Sequence, residues 1–288
     1  MDIPLDVLKI MASYITKKNM KLLDWISLDT LHGMWLSYNK NENIVNYLKN
    51  HQDKIYWHCL CDNINAIPLL EVNLDKIDWL ILSRNKFAIH LLEANPDKID
   101  WNNLSRNPNA IHLLEANLDK ICWHYLSENP NAIHLLEASP ELIDWSFLSK
   151  NPNAIHLLEA NLDKVDWEWL SSNPNAIKIL EANPDKINWY YLSYNPNAIH
   201  LIEANLDKIN WTVLSSKPYL IHLLEANLDK IDWRILSKNP NAIHLLEANK
   251  DKINWSVLSE NPSIFEPDTK SINENILNKA ILLDGIIN

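Results

Sequence analysis

Trp101-Asn102-Asn103-Leu104-Ser105-Arg106-Asn107-Pro108-Asn109-Ala110-Ile111-His112-Leu113-Leu114-Glu115-Ala116-Asn117-Leu118-Asp119-Lys120-Ile121-Cys122 is one period of a tandem repeat. Trp57, Trp79, Trp101, Trp123, Trp145, Trp167, Trp189, Trp211, Trp233 and Trp255 follow one another at intervals of 22 residues with no slip. A degenerate copy, two residues longer, precedes them: Leu36-Ser37-Tyr38-Asn39, then Ile44, Val45, Leu48 and Asp53-Lys54-Ile55. Self-similarity at a fixed short period is the signature of a solenoid, in which each unit buries its apolar faces against its neighbours.

Within the unit, Asn107 suits a helix N-cap and Pro108 the first helical position, where a missing N–H costs nothing. Ala110, Ile111, Leu113 and Leu114 then share one helical face. Asn117 can end this helix, B, in the left-handed region. The residue before Trp is Asp or Asn in most copies (Asp78, Asp100, Asp144, Asp166, Asn188, Asn210, Asp232, Asn254), which suits the cap of a short helix A. The alternation Ile-x-Trp-x-apolar is also strand chemistry, and Leu-Ser-x-Asn resembles a leucine-rich repeat. That repeat needs an apolar residue two places before its Leu, where this chain has Asn102, His124, Ser146, Glu168, Thr212 or Arg234. The expectation is an all-α solenoid of 22-residue helix-turn-helix units, with a leucine-rich-repeat-like α/β solenoid as the alternative. Ten Trp residues in register predict a continuous buried aromatic spine, each truncation to Ala costing roughly 3–5 kcal/mol. Layers roughly 8–10 Å apart predict a rod or arc roughly 100 Å long.

Composition narrows the function. The chain has 288 residues, 13 Trp but only 2 Gly, which leaves no glycine-rich phosphate loop and no dinucleotide fingerprint. A net charge of −11 repels phosphate backbones, so nucleic acid is not an expected partner. Cys59, Cys61 and Cys122 cannot form a disulfide framework and suit a reducing compartment. The first residues lack the basic and apolar runs of a signal peptide, and no apolar run reaches the roughly 18 residues of a membrane span. A cytoplasmic protein without membrane contact is expected.

The conspicuous columns have plain structural readings. His90, His112, His134, His156, His200, His222 and His244 suggest metal or pH sensing, but layers roughly 9 Å apart are too wide for two of them to share one zinc. A polar helix position copied with the repeat explains them. His58, Cys59 and Cys61 lack a second close pair, and Cys61 occupies the Ser column. Capping explains Asn107, Asn129, Asn151, Asn173, Asn195 and Asn239. Ser, His and Asp recur in every unit, so no catalytic set stands out; a catalytic group would be a unique departure set in a pocket. No enzyme activity, cofactor or metal is expected.

The informative positions vary between copies: the residue after Trp and the one four further on, neighbours on one face of helix A. Solenoids bind partners across such faces. Tyr190 and Tyr194 form a candidate hot spot for a protein partner, with Arg84, Arg106, Arg234 and Lys238 as flanking contacts. Drift on a solvated surface is the competing explanation.

Residues 1–35 stand outside the repeats. Ile3-Pro4-x-Asp6-Val7-Leu8, then Met11 and Ser13-Tyr14-Ile15, resemble the opening of an F-box, over about 18 residues. The resemblance implies docking on a Skp1-like linker of a ubiquitin ligase through Ile3, Pro4, Val7, Leu8, Met11 and Tyr14. A cap covering the first repeat is the alternative role. Residues 36–262, with Leu-Ser-x-Asn-Pro-Asn-Ala-Ile-His-Leu-Leu-Glu and Asp-Lys-Ile-x-Trp, resemble repeat proteins encoded by giant DNA viruses of amoebae, a family that brings no activity with it. Residues 263–288 suit a capping helix. The functional expectation is a non-enzymatic interaction solenoid, in the F-box reading an adaptor presenting a host target. A structural or virion-associated scaffold is the alternative.

Overall fold

The computed structural model describes Val7, Lys9, residues 20–41 and residues 43–287, main chain only for 283–287. The repeats are helical. Helix A starts at Trp, as in Trp101–Ser105, and helix B follows, as in Ile111–Glu115. The expected cap forms: Asp100 Oδ1 accepts the N–H of Asn103 at 2.8 Å, and Asp232 does the same for Ile235 at 3.0 Å. This capped start settles helix over strand for the Trp segment. The only strands among the described residues, β1 (Met20–Leu22) and β2 (Phe265–Pro267), lie outside the regular units.

Two local expectations need correction. Asn107 does not start helix B directly. Its Oδ1 accepts the N–H of Asn109 in a tight turn, and the helix begins at Ile111. Nor does Asn117 adopt a left-handed conformation. Its φ is −142°, and no positive φ occurs among the described residues. Asn117 Nδ2 instead donates to the carbonyl of Leu113 at 2.9 Å, so the side chain satisfies a carbonyl at the helix end.

The core is a set of columns. Leu104, Leu114 and Ala110 are fully buried, as are their counterparts Leu126, Leu136 and Ala132. The Trp residues are only half-buried, which corrects the expected spine. Trp begins its helix at the edge of the layer, and the Leu three residues on takes the interior. Five of the Trp faces, those of Trp101, Trp145, Trp189, Trp211 and Trp233, are covered by a lysine of the same unit: Lys120 Nζ lies 4.5 Å from the Trp101 centroid and Lys230 Nζ 4.7 Å from that of Trp211.

Neighbouring units are stitched by polar columns with almost no exposure. Ser83 Oγ donates to the Trp79 carbonyl and accepts the N–H of Asp100. Asn151 Nδ2 donates back to the carbonyls of Ser127 and Asn129, at 3.0 and 2.9 Å. On the exposed side of these columns, Asn153 Nδ2 reaches Pro130 O at 2.8 Å. The buried amides are thereby satisfied, and burying them unpaired would cost several kcal/mol. Outside this ladder, His112 Nε2 meets Glu93 Oε1 at 2.8 Å, and the other six histidines of the column meet the preceding unit's Glu likewise.

The solenoid closes on itself. His32 N–H donates to Ser259 Oγ at 2.8 Å, as Asp100 N–H does to Ser83. Asn39 Nδ2 donates to Ser259 O and Asn261 O, at 3.0 and 2.9 Å, and Asn41 Nδ2 to Pro262 O at 2.9 Å. These are the bonds of an ordinary seam made between the first and last units. The chain is therefore a ring rather than a rod or open arc. It has eleven units, one per Ser or Cys from Ser37 to Ser259, each turning about 33°.

The eleventh unit is shared between the two ends of the described chain. Trp255 to Ile264 supply its first half. The segment Met20–His32, grouped by sequence with the N-terminal cap, supplies the return, with Leu28–Thr30 as its 3-10 turn and Leu31 buried. Strand β1 pairs antiparallel with β2, Met20 opposite Pro267, and Trp25 meets Trp255 edge-on at 6.2 Å. In the first unit, Gly33 stands where later units have Trp; a Cβ there would come within 2.5 Å of Lys54 O. Helix Thr269–Ile287 follows the ring, with Ala280 buried.

Candidate binding surface

Residues five places after Trp form a continuous line around the ring. Asp62 and Arg84, from successive units, pair at 2.9 Å. Arg106 pairs with Glu128 at 3.1 Å, and Lys150 approaches the same carboxylate at 3.6 Å. The Arg106 guanidinium also lies 4.1 Å from the Tyr125 ring centroid. Arg84 and Arg106 are thus engaged between units. They lie on the third and fourth units, well away from Tyr190 and Tyr194 on the eighth. Arg234 is exposed on the tenth, beside half-buried Lys238.

Tyr190 and Tyr194 do come together, their ring centroids 5.9 Å apart, as residues one helical turn apart should. The Tyr190 hydroxyl bonded to Tyr194, with burial added, holds the Tyr194 phenol up at about 12. Two residues not singled out from sequence complete the cluster. Trp169 and Tyr191 stack edge-on at 4.9 Å, and Tyr191 meets Tyr190 at 5.3 Å. With Ser172 they line a cleft of about 290 Å³. The signal was present in the sequence: Trp169 is one of the few Trp residues outside the 22-residue register.

A second cavity, of about 280 Å³, lies where Tyr38 and Lys40 of the first unit meet Ser216, Lys217, Lys238, Pro240, Glu260 and Pro262. It spans the ninth to eleventh units and the closing seam. Lys217 takes a place held by Asn in every other unit. Its ammonium lies 3.8 Å from the Tyr194 centroid, so the two cavities adjoin. Burial, with Lys238 nearby, pulls Lys217 down to about 8.

Cys61 Sγ accepts the N–H of Asp78 at 3.3 Å, the role of Ser elsewhere, and burial pushes its thiol up to about 11. Among the described residues no group of three His, Cys, Asp or Glu side chains is placed to hold a metal. No helix of the described residues is long and apolar enough to cross a membrane. Of the F-box-like residues, Val7 is helical and 44% exposed; Ile3, Pro4, Leu8, Met11 and Tyr14 lie outside the described residues. No family model, curated protein or solved structure is significantly similar to the chain.

Proposed function

We propose that the ring is a non-enzymatic binding platform that holds a segment of a partner protein in the aromatic cleft of Trp169, Tyr190, Tyr191 and Tyr194. The observation that supports this is the concentration of four large aromatic side chains on two successive units, at positions that are polar or aliphatic in most others. Tyr190 and Tyr194 stay 45% and 42% exposed, so the fold does not consume them. Rigid aromatic groups beside a cleft are the usual anchors of protein interfaces.

A role for the N-terminal segment as an adaptor to a Skp1-like linker is supported by the closure. The unit that covers the first repeat is completed by Met20–His32, which follow the F-box-like residues in the chain, so this reading does not need those residues as a cap. Affinity capture from host lysate, followed by binding of the purified captured protein, tests both parts. Tyr190→Ala with Tyr194→Ala should weaken partner binding at least tenfold and leave the melting temperature nearly unchanged. Leu8→Asp should remove a Skp1-like protein while sparing that partner. A partner held equally well by the tyrosine variant would overturn the cleft; absence of any Skp1-like protein would overturn the adaptor role.

A further inference from the structure

We infer that the cavity at the closing seam is a binding site for the phosphate group of a small molecule, with Lys40, Lys217 and Lys238 as its cations. Three observations carry this. First, Lys40, Lys217 and Lys238 converge on one cavity of about 280 Å³ in a chain of net charge −11. The cations that share the position of Lys238 in other units, Arg84, Arg106 and Lys150, each lie within ion-pair distance of a carboxylate. No ion pair joins the three cavity lysines to a carboxylate among the described residues, although Glu260 lines the same cavity. Tyr38 and Ser216 complete its wall, the Ser216 hydroxyl donating to Val213 O at 2.8 Å.

Second, Lys217 breaks a column that the fold otherwise keeps. An Asn there would donate to the carbonyl of Ser193, as Asn239 donates to that of Ser215 at 3.0 Å. Lys217 makes no such bond.

Third, the loss is repaired nearby. Tyr219 stands where most other units have a second Asn (Phe87 and Ser263 are the other departures), and its hydroxyl donates to Ser193 O at 3.3 Å. The sequence Lys217-Pro218-Tyr219 thus retains one ladder bond while placing a lysine on the cavity wall, its ammonium against Tyr194. Neutral drift of a surface residue would need no such partner change. Burial, and after it the charge of Lys238, disfavours the charged form of Lys217, and a phosphate group in the cavity would offset the repulsion. The chain has no glycine-rich loop, so lysine side chains would act as point charges toward the anion.

The test uses the full chain, titrated by calorimetry with inorganic phosphate and with glycerol phosphate, at constant ionic strength. Saturable binding of either is expected, and tighter binding of the ester would assign the remaining volume to its organic part. Lys217→Asn restores the consensus residue, so it should melt at or above the parent temperature yet bind at least tenfold more weakly. Lys238→Gln should weaken binding similarly, while Lys164→Gln, on Trp145, should leave it unchanged. Absence of saturable binding by both probes, or binding by Lys217→Asn equal to the parent, would overturn the site. Because Lys238→Gln touches none of the residues lining the aromatic cleft, failure of this site and failure of the cleft are separable.

Discussion

The seam between the last and first units and the seam between two middle units use the same bonds on different terms. At both, a Ser hydroxyl accepts a main-chain N–H and a buried Asn bridges two carbonyls of its neighbour. The middle seam also has a peptide chain running across it. The closing seam keeps one at His32–Gly33, but the two halves of its eleventh unit, Trp255 to Ile264 and Met20 to His32, are not joined by chain, and contacts take the place of that link: the β1–β2 pair and Leu23 N–H on Ile264 O at 2.9 Å, with Tyr47 against Phe265 at 5.4 Å. The lesson is that closure rests on the angular step of the repeat together with a short clasp. An open solenoid gains stability unit by unit. A ring gains its last interface only if the step and the number of units agree.

Deleting one unit, Trp123 to Asp144, should have the largest effect. It leaves every remaining seam chemically intact. In an open array it would remove one interface and little else. Here ten units would have to take up the full turn, so the clasp should fail. We expect fast amide exchange throughout β1 and β2, an expanded solution scattering profile and a clearly lower melting temperature. A ten-unit variant as compact and as protected as the parent would show that the step is adjustable.

Asn39→Ala and Asn151→Ala compare the seams one residue at a time. Each removes a buried amide that donates to two carbonyls and accepts one N–H. Each should cost about 1–3 kcal/mol in chemical denaturation, since the orphaned carbonyls stay buried. The difference should appear locally. Asn39→Ala should speed exchange at Met20–Leu22, because the closing seam can open without breaking the chain. Asn151→Ala should leave those amides unchanged. Equal local exchange in both variants would mean that the clasp, and not the Asn ladder, holds the ring shut.

Much of one unit was legible in the sequence, because its signals are local. The spacing marked the period, Asp or Asn before Trp marked helix A, and Ala110, Ile111, Leu113 and Leu114 marked the buried face of helix B. The ring was not legible. Its closure depends on a turn of about 33° per unit, set by side-chain packing that no local pattern encodes. The closing segment Met20–His32 also carries almost none of the repeat motif. The Asn column shows the same limit at the scale of one side chain. Capping accounts for Oδ1 of Asn107, whose amide nitrogen still has two hydrogens to place. In the fold that nitrogen donates to Ser83 O at 3.0 Å, a bond 24 residues away in sequence. Asking where each buried donor goes would have pointed to the neighbouring unit. On the surface, Tyr190 and Tyr194 were found as departures from the repeat. Lys217 was equally visible as one, but its meaning needed the distant Tyr38 and Lys40.

The smallest expected effect lies on an exposed face of the ordinary seams and concerns pH. Burial pushes the Asp78 carboxyl up, but hydrogen bonds from His58, at 2.6 Å, and from the Ile81 N–H outweigh it and hold it below its ordinary value. Asp144 is set the same way: burial raises it, and the Phe147 N–H with His124, at 2.7 Å, lowers it further. A carboxylate whose folded pKa is lowered stabilises the fold above its unfolded pKa, and that contribution disappears as pH falls through the folded one. Exposed pairs of this kind are ordinarily worth under ~1 kcal/mol. His58→Ala with His124→Ala should therefore lower the melting temperature slightly above about pH 5 and match the parent near about pH 2. The closing seam serves as the internal reference, because His32 occupies the Asp position there and offers no carboxylate to titrate. Exchange at β1 should accordingly show the same pH profile in parent and variant. A gap in melting temperature that persists unchanged at low pH would mean that the two histidines act through packing, His124 against Phe147 at 3.7 Å above all, and not through the carboxylates.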